Sequence, residues 1–165
     1  MEQVYSVGHS NHEIIYFCEL LKQSKIDYLI DVRSVPYSKY YPQFNQENIS
    51  NSLKIMNIKY LFFGDELGGR INDSTCYKDE MIPEQKVGYA LHLNYDKIIN
   101  KEWFNSGINK IIELIQKGNC AIMCSEENPE KCHRELIIGR RLREIGINII
   151  HIRSNKNKQD QLNLF

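Results

Sequence analysis

The stretch MCSEENPEKCHRELI, from residue 123, packs thiol, carboxylate, imidazole and guanidinium groups into fifteen positions. Glu126 falls in what reads as a strand-to-helix loop, where a carboxylate can take a proton, activate water or stabilise a developing cation. The helix that follows offers free N–H groups and partial positive charge at its start, and Arg134 adds a bidentate donor for an anion. The bland alternative is that Glu126 caps the helix and Arg134 pairs with it. Cys124, Cys132 and His133 raise the question of a metal. Their C-x7-C-H spacing matches no standard zinc pattern, so no metal and no other cofactor is expected. A thiol enzyme ranks low as well, because Glu126 and Glu127 would oppose both a thiolate and an anionic substrate.

Two further segments carry chemistry. In DVRSVPYSKYYPQF, Asp31 and Arg33 share a strand face and can pair, or divide between catalysis and binding. Tyr37, Ser38, Lys39, Tyr40, Tyr41 and Phe44 mix aromatic, polar and cationic groups in a proline-punctuated loop. That mixture suits base stacking and phosphate contact, although packing on the domain serves Tyr41 and Phe44 equally well. DELGGR sets Glu66 and Arg70 around two glycines that let backbone approach a ligand closely.

These segments need elements to position them. VYSVG reads as a first strand. Ser10 and Glu13 then form a capping box before the apolar run IIYFCELL, a helix reaching about Lys25. YLIDV is a second buried strand, and a helix from Gln46 to Met56 leads to a third, KYLFFG. Residues 71 to 84 show no periodicity. Trp103 to Gln116 reads as a helix stopped by Gly118, and CAIMC as a fourth strand. Asn128-Pro129 opens one continuous helix through EKCHRELIIGRRLREI, and INIIHI is a fifth strand.

Strands alternating with helices predict a single three-layer α/β domain over residues 1–153, with a mostly parallel sheet of about five strands flanked by helices. Chemistry in such sheets sits beyond the carboxyl ends of the strands. The residues just past the strands are His9-Ser10-Asn11, Asp31 and Arg33, Asp65 and Glu66, and Cys124 with Glu126. Cys132, His133 and Arg134 follow at the next helix opening. The expected catalytic groups are Glu126, with Asp31 or Glu66 as second carboxylate. The expected binding groups are His9, Ser10, Asn11, Arg33, Tyr37, Ser38, Lys39, Arg70, Cys124, Cys132, His133 and Arg134.

The bulk numbers fit one globular domain: 165 residues, 42% hydrophobic and 25% charged. Lys+Arg and Asp+Glu both total 21, so no global field draws the chain to nucleic acid, and binding there needs a local patch or a recruited partner. Five cysteines and no signal pattern in MEQVYSVGHS predict a reduced, cytoplasmic protein with no membrane span.

The blocks GHSN, DVRSVPYS, ELGGR and MCSEENPEKCHR, in this order, resemble the hallmark blocks of domain-of-unknown-function family 488. Ser125 stands where that family's last block usually has alanine. The resemblance implies an α/β fold and a site built from these blocks, with Ser10, Asp31, Arg33, Ser38, Glu66, Cys124, Glu126, Cys132, His133 and Arg134 as its functional residues. It implies no settled activity.

The end of the chain carries a second resemblance. Gln161, Leu162, Asn163, Leu164 and Phe165 are similar to the peptide by which bacterial DNA polymerases and repair proteins dock on the sliding clamp, with Asn163 departing at the third position. Residues 154–165 then read as a polar tether with its docking peptide. DNA and the clamp are the expected partners, and a base- or nucleotide-directed hydrolase is the expected activity. The alternatives are a non-enzymatic nucleotide- or nucleic-acid-binding adaptor, and a small-molecule or thiol enzyme unrelated to DNA.

Overall fold

A computed structural model describes residues 2–84 and 88–154. The expected α/β domain is present. Five strands, β1 (Gln3–Gly8), β2 (Tyr28–Asp31), β3 (Lys59–Phe62), β4 (Cys120–Cys124) and β5 (Asn148–Ile152), form one sheet in the order β3-β2-β4-β1-β5. Every pairing in it is parallel. The chain builds β1, β2 and β3 toward one edge, then returns to lay β4 between β1 and β2, and places β5 outside β1.

That reversal sorts the helices. Crossovers between parallel strands keep one hand, so reversing direction along the sheet moves the connecting helix to the opposite face. α1 (Ile14–Gln23) and α2 (Gln46–Ile55), made on the outward run, cover one face. Phe17, Leu21, Ile49 and Leu53 pack there with Val7, Leu29, Ala121 and Met123 of the strands. α5 (Glu102–Ile115) and α6 (Arg140–Glu144), made on the return, cover the other. Phe104, Ile108, Ile111 and Leu142 pack there with Val4, Ile30, Cys120 and Ile122. All five residues of β4 are buried, as a central strand covered on both faces requires.

Two local expectations are corrected. Ser10 does not cap α1. It holds a left-handed φ of 47°, its hydroxyl donates to Asn11 Oδ1 at 3.3 Å, and Glu13 is the residue before the helix, with no side-chain cap bond. The helix starts late because β1 overruns: His9 N–H donates to the Cys124 carbonyl and Ser10 N–H to the Ser125 carbonyl, both at 2.9 Å. The helix drawn through EKCHRELIIGRRLREI is not continuous. Asn128 caps a 3₁₀ turn at Pro129–Lys131 through the Glu130 N–H. A wide π turn follows at Arg134–Gly139, and regular α geometry begins only at Arg140. The stretch without periodicity, residues 71 to 84, contributes Cys76 and Tyr77 to the core. Ala90, Leu93, Tyr95 and Ile98, which follow it, are buried as well, around short 3₁₀ turns and α4 (Tyr95–Ile98). α3 (Gly64–Leu67) is a single turn after β3. No described helix is long and apolar enough to cross a membrane. Gln161 to Phe165, the docking-like peptide, lies outside the described residues.

Gly8, the last residue of β1, lies against the loop beyond β4. A Cβ there would stand 2.0 Å from the Glu126 carbonyl oxygen and 2.7 Å from the Glu127 Cα. Both obstacles are backbone, so a side chain is admitted only by moving the loop. Gly8→Ala is expected to lower unfolding free energy by about 1–3 kcal/mol, read by urea titration; unchanged stability would mean that the loop yields freely.

Candidate functional site

A cavity of about 630 Å³ opens beyond the carboxyl ends of β1, β2 and β4, the place where strand order reverses. Its walls include His9, Ser10 and Asn11 after β1, Arg33, Tyr37, Ser38 and Tyr41 after β2, and Cys124 and Glu126 at β4; Arg70 and Tyr89 come from the segment between β3 and β4.

Asp31 ends β2 with no exposure, and its carboxylate is fully engaged. It accepts from the Arg33 backbone N–H and Nε at 3.0 Å each, from Arg33 Nη2 at 2.7 Å and from the Tyr60 hydroxyl at 2.7 Å. Burial, followed by the Asp31 charge, pushes the Tyr60 phenol well above its ordinary range, so Tyr60 remains a donor. Arg33 also donates through Nη2 to the Phe44 carbonyl at 2.8 Å. Its remaining nitrogen, Nη1, lies 3.2 Å from His9 Nε2.

The His9 ring is fixed on three sides. Nδ1 lies 2.8 Å from the Ser10 carbonyl, to which it donates; Nε2 then presents a lone pair to Arg33 Nη1, and the ring stacks on Phe44 at 4.3 Å. Burial, reinforced by the Arg33 charge, lowers its pKa to about 4. The imidazole is therefore neutral at pH 7.

Arg134 does not reach the cavity. It is 1% exposed, donating through Nε to Ser6 Oγ at 2.9 Å, through Nη1 to the Glu126 carbonyl, and through Nη2 to the Glu127 carbonyl at 3.0 Å. The guanidinium expected to hold a substrate anion instead ties the loop after β4 to the middle of β1. Beside it, Arg153 binds the Glu127 carboxylate through two nitrogens at 2.9 Å each. With its backbone held by Arg134 and Gly8, Glu126 projects an exposed side chain at the cavity wall.

Below this loop, Cys124, Cys132 and His133 converge, all nearly inaccessible. His133 Nε2 donates to the Val32 carbonyl at 3.0 Å, which turns Nδ1 toward Cys124 Sγ at 3.7 Å and Cys132 Sγ at 3.8 Å. A hydrogen bond from Cys132 outweighs burial and holds the Cys124 thiol well below its ordinary range, with His133 adding to the effect. Cys132 is pushed up by the same bond. The Tyr89 hydroxyl lies 3.3 Å from His133 Nδ1.

The fold thus brings His9, Ser10, Asn11, Arg33, Tyr37, Ser38, Arg70, Cys124 and Glu126 to one cavity. Asp31, Cys132 and His133 sit behind its wall. Lys39 is exposed and outside the lining. Glu66 is also outside it, paired with Lys110 of α5. Phe44 is buried against His9, while Tyr41 lines the cavity. The sequence reading missed Tyr89, which has no motif around it, and Tyr60, whose part is to complete the Asp31 shell.

Stability should report the neutral His9. Between its ordinary value near 6.5 and about 4, the unfolded chain takes up a proton that the folded chain refuses. Stability is therefore lost as pH falls through that window. Measured by urea unfolding from pH 7 to 4, the native chain should lose about 3 kcal/mol more than His9→Gln. Parallel losses would show that His9 is not held neutral.

A search of curated proteins and a search of solved structures each found no match to the chain. A family model does match, over residues 13–140, a span holding the blocks around Asp31, Arg70, Cys124 and Arg134. The chain belongs to the family described as domain of unknown function DUF488.

Proposed function

We propose that the chain is a hydrolase acting on a nucleotide or on a nucleotide unit of DNA, with Glu126 as its acid–base group and N-glycosidic bonds as its target. One observation carries this reading. Glu126 is the carboxylate of the cavity lining, and no described residue donates a hydrogen bond to it. The same walls carry Arg33, Arg70 and the tyrosines 37, 41 and 89. The volume falls in the usual range for ligand sites, roughly 300–1,000 Å³. Aromatic faces accept a base and arginines accept a phosphate.

The chemistry needs one carboxylate on the reacting side. Glu126 takes a proton from water as the C1′–O bond forms. The C1′–N bond breaks, its electron pair leaves with the base, and a proton is taken up on that base. Asp31 has no part in this as a base, because four donors already occupy its oxygens. Its work is to orient Arg33. The terminal peptide Gln161 to Phe165 would bring the enzyme to DNA by docking on the sliding clamp, which answers the absence of net positive charge.

The test is base release from nucleotides and from single- and double-stranded DNA carrying modified bases, with and without purified clamp. Glu126→Gln should slow release by at least ~100-fold with binding retained, and removal of residues 161–165 should abolish the response to clamp. Full activity in Glu126→Gln would end this assignment. Binding without turnover, unchanged in Glu126→Gln, would favour the adaptor.

A further inference from the structure

We propose that Cys124 Sγ, Cys132 Sγ and His133 Nδ1 bind a soft divalent cation, zinc by preference. The three donors all lie within 4.8 Å of one another, and Nδ1 stands 3.7 and 3.8 Å from the two sulfurs. Around a tetrahedral zinc, with Zn–S about 2.3 Å and Zn–N about 2.0–2.1 Å, donors are separated by roughly 3.5–3.8 Å. The two nitrogen–sulfur separations already match those of a bound cation, and the two sulfurs, within 4.8 Å of each other, close toward that spacing as they ligate. Two thiolates and an imidazole also form a donor set that favours zinc over magnesium or calcium, which prefer oxygen.

A second observation concerns the histidine. A metal-binding imidazole is usually held by a hydrogen bond from its other nitrogen, which fixes the tautomer and aims the lone pair. Here Nε2 donates to the Val32 carbonyl at 3.0 Å, so Nδ1 carries the lone pair, facing both sulfurs, and a cation would take it in place of the Tyr89 hydroxyl at 3.3 Å. Gly69 leaves room for the ring: a Cβ there would come within 2.6 Å of it. This outer support matters because His133 opens an irregular turn, where a side chain is otherwise less constrained.

Spacing in the chain argued against zinc, since C-x7-C-H is no zinc knuckle. The site arises from tertiary structure instead. Cys124 closes β4, and the capped 3₁₀ turn at Pro129–Lys131 folds Cys132 and His133 back onto that strand end. Three protein donors leave a fourth coordination position, the arrangement of catalytic rather than structural zinc. Cys124 and Tyr89, both bordering the cluster, are also cavity wall. A bound cation there supplies Lewis acidity and lowers the pKa of a coordinated water. That catalytic use rests on the hydrolase reading above; the binding of the metal does not.

The experiment is metal analysis of the reduced full-length chain, stripped with chelator and dialysed against zinc, together with the absorption spectrum after cobalt loading. About one zinc per chain is expected, with cobalt showing thiolate-to-metal charge transfer and tetrahedral ligand-field bands. Cys132→Ser should weaken zinc binding by at least ~100-fold, while Cys18→Ser, on the opposite face of the sheet, should bind as the native chain does. Sub-stoichiometric zinc in the native chain, or equal affinity in Cys132→Ser, would overturn the site. Should Cys132→Ser fail to fold, the cobalt spectrum of the native chain decides alone, and a spectrum without thiolate charge transfer would be fatal. Because no substrate is involved, a chain that binds zinc but leaves nucleotides intact would sink the hydrolase reading and keep the metal site.

Discussion

A buried guanidinium holds the candidate site together. Arg134 is almost entirely removed from water, and among the described residues no carboxylate pairs with it directly. Its partners are one hydroxyl and two backbone carbonyls. Burying a charge is costly, and the cost is tolerable only when its donors are satisfied. Those three acceptors come from the middle of β1 and the loop beyond β4, so satisfying the cation amounts to fastening a strand and a loop to the turn that carries Arg134. Glu126 inherits its position from that fastening. Gly8 allows the same loop to rest directly on β1, where a side chain would stand in the way.

The Asp31–Arg33 pair works on the opposite wall by the same logic. Each group saturates the other, and Tyr60 and the Phe44 carbonyl take what is left. The product is a rigid cation edge beside His9. That histidine stays neutral because burial and the neighbouring positive charge both oppose a second proton. The cavity therefore joins the edge of a buried ion pair to a carboxylate on a fastened loop.

Much of the fold was legible in the sequence because buried parallel strands and amphipathic helices write different periods. All five strands were visible in this way. Strand order was not, since nothing in CAIMC says that it lies between β1 and β2. The candidate site was legible as a place and less so as a set of roles. Asp31 and Arg134 have the right types for catalysis and anion binding, yet residue type does not reveal which partners have already claimed a group. Glu66 sits two residues into a single-turn helix whose register points it at Lys110. The meeting of Cys132 and His133 with Cys124 was not legible, because a 3₁₀ turn and then a π turn replace the continuous helix, and helical spacing does not apply there.

The strand order has a consequence in time. β4 lies at the centre of the sheet but is encoded after residue 119, and β1 and β2 are joined only through it. A chain emerging from the ribosome can form α1, α2 and the β2–β3 pair early, while β1 waits for more than a hundred residues. Such non-local pairing makes the closing step slow relative to local structure. Cys124 and the loop carrying Glu126 belong to that same late segment. The sheet and the cavity are therefore completed together, and a nascent chain has no partly working site to expose.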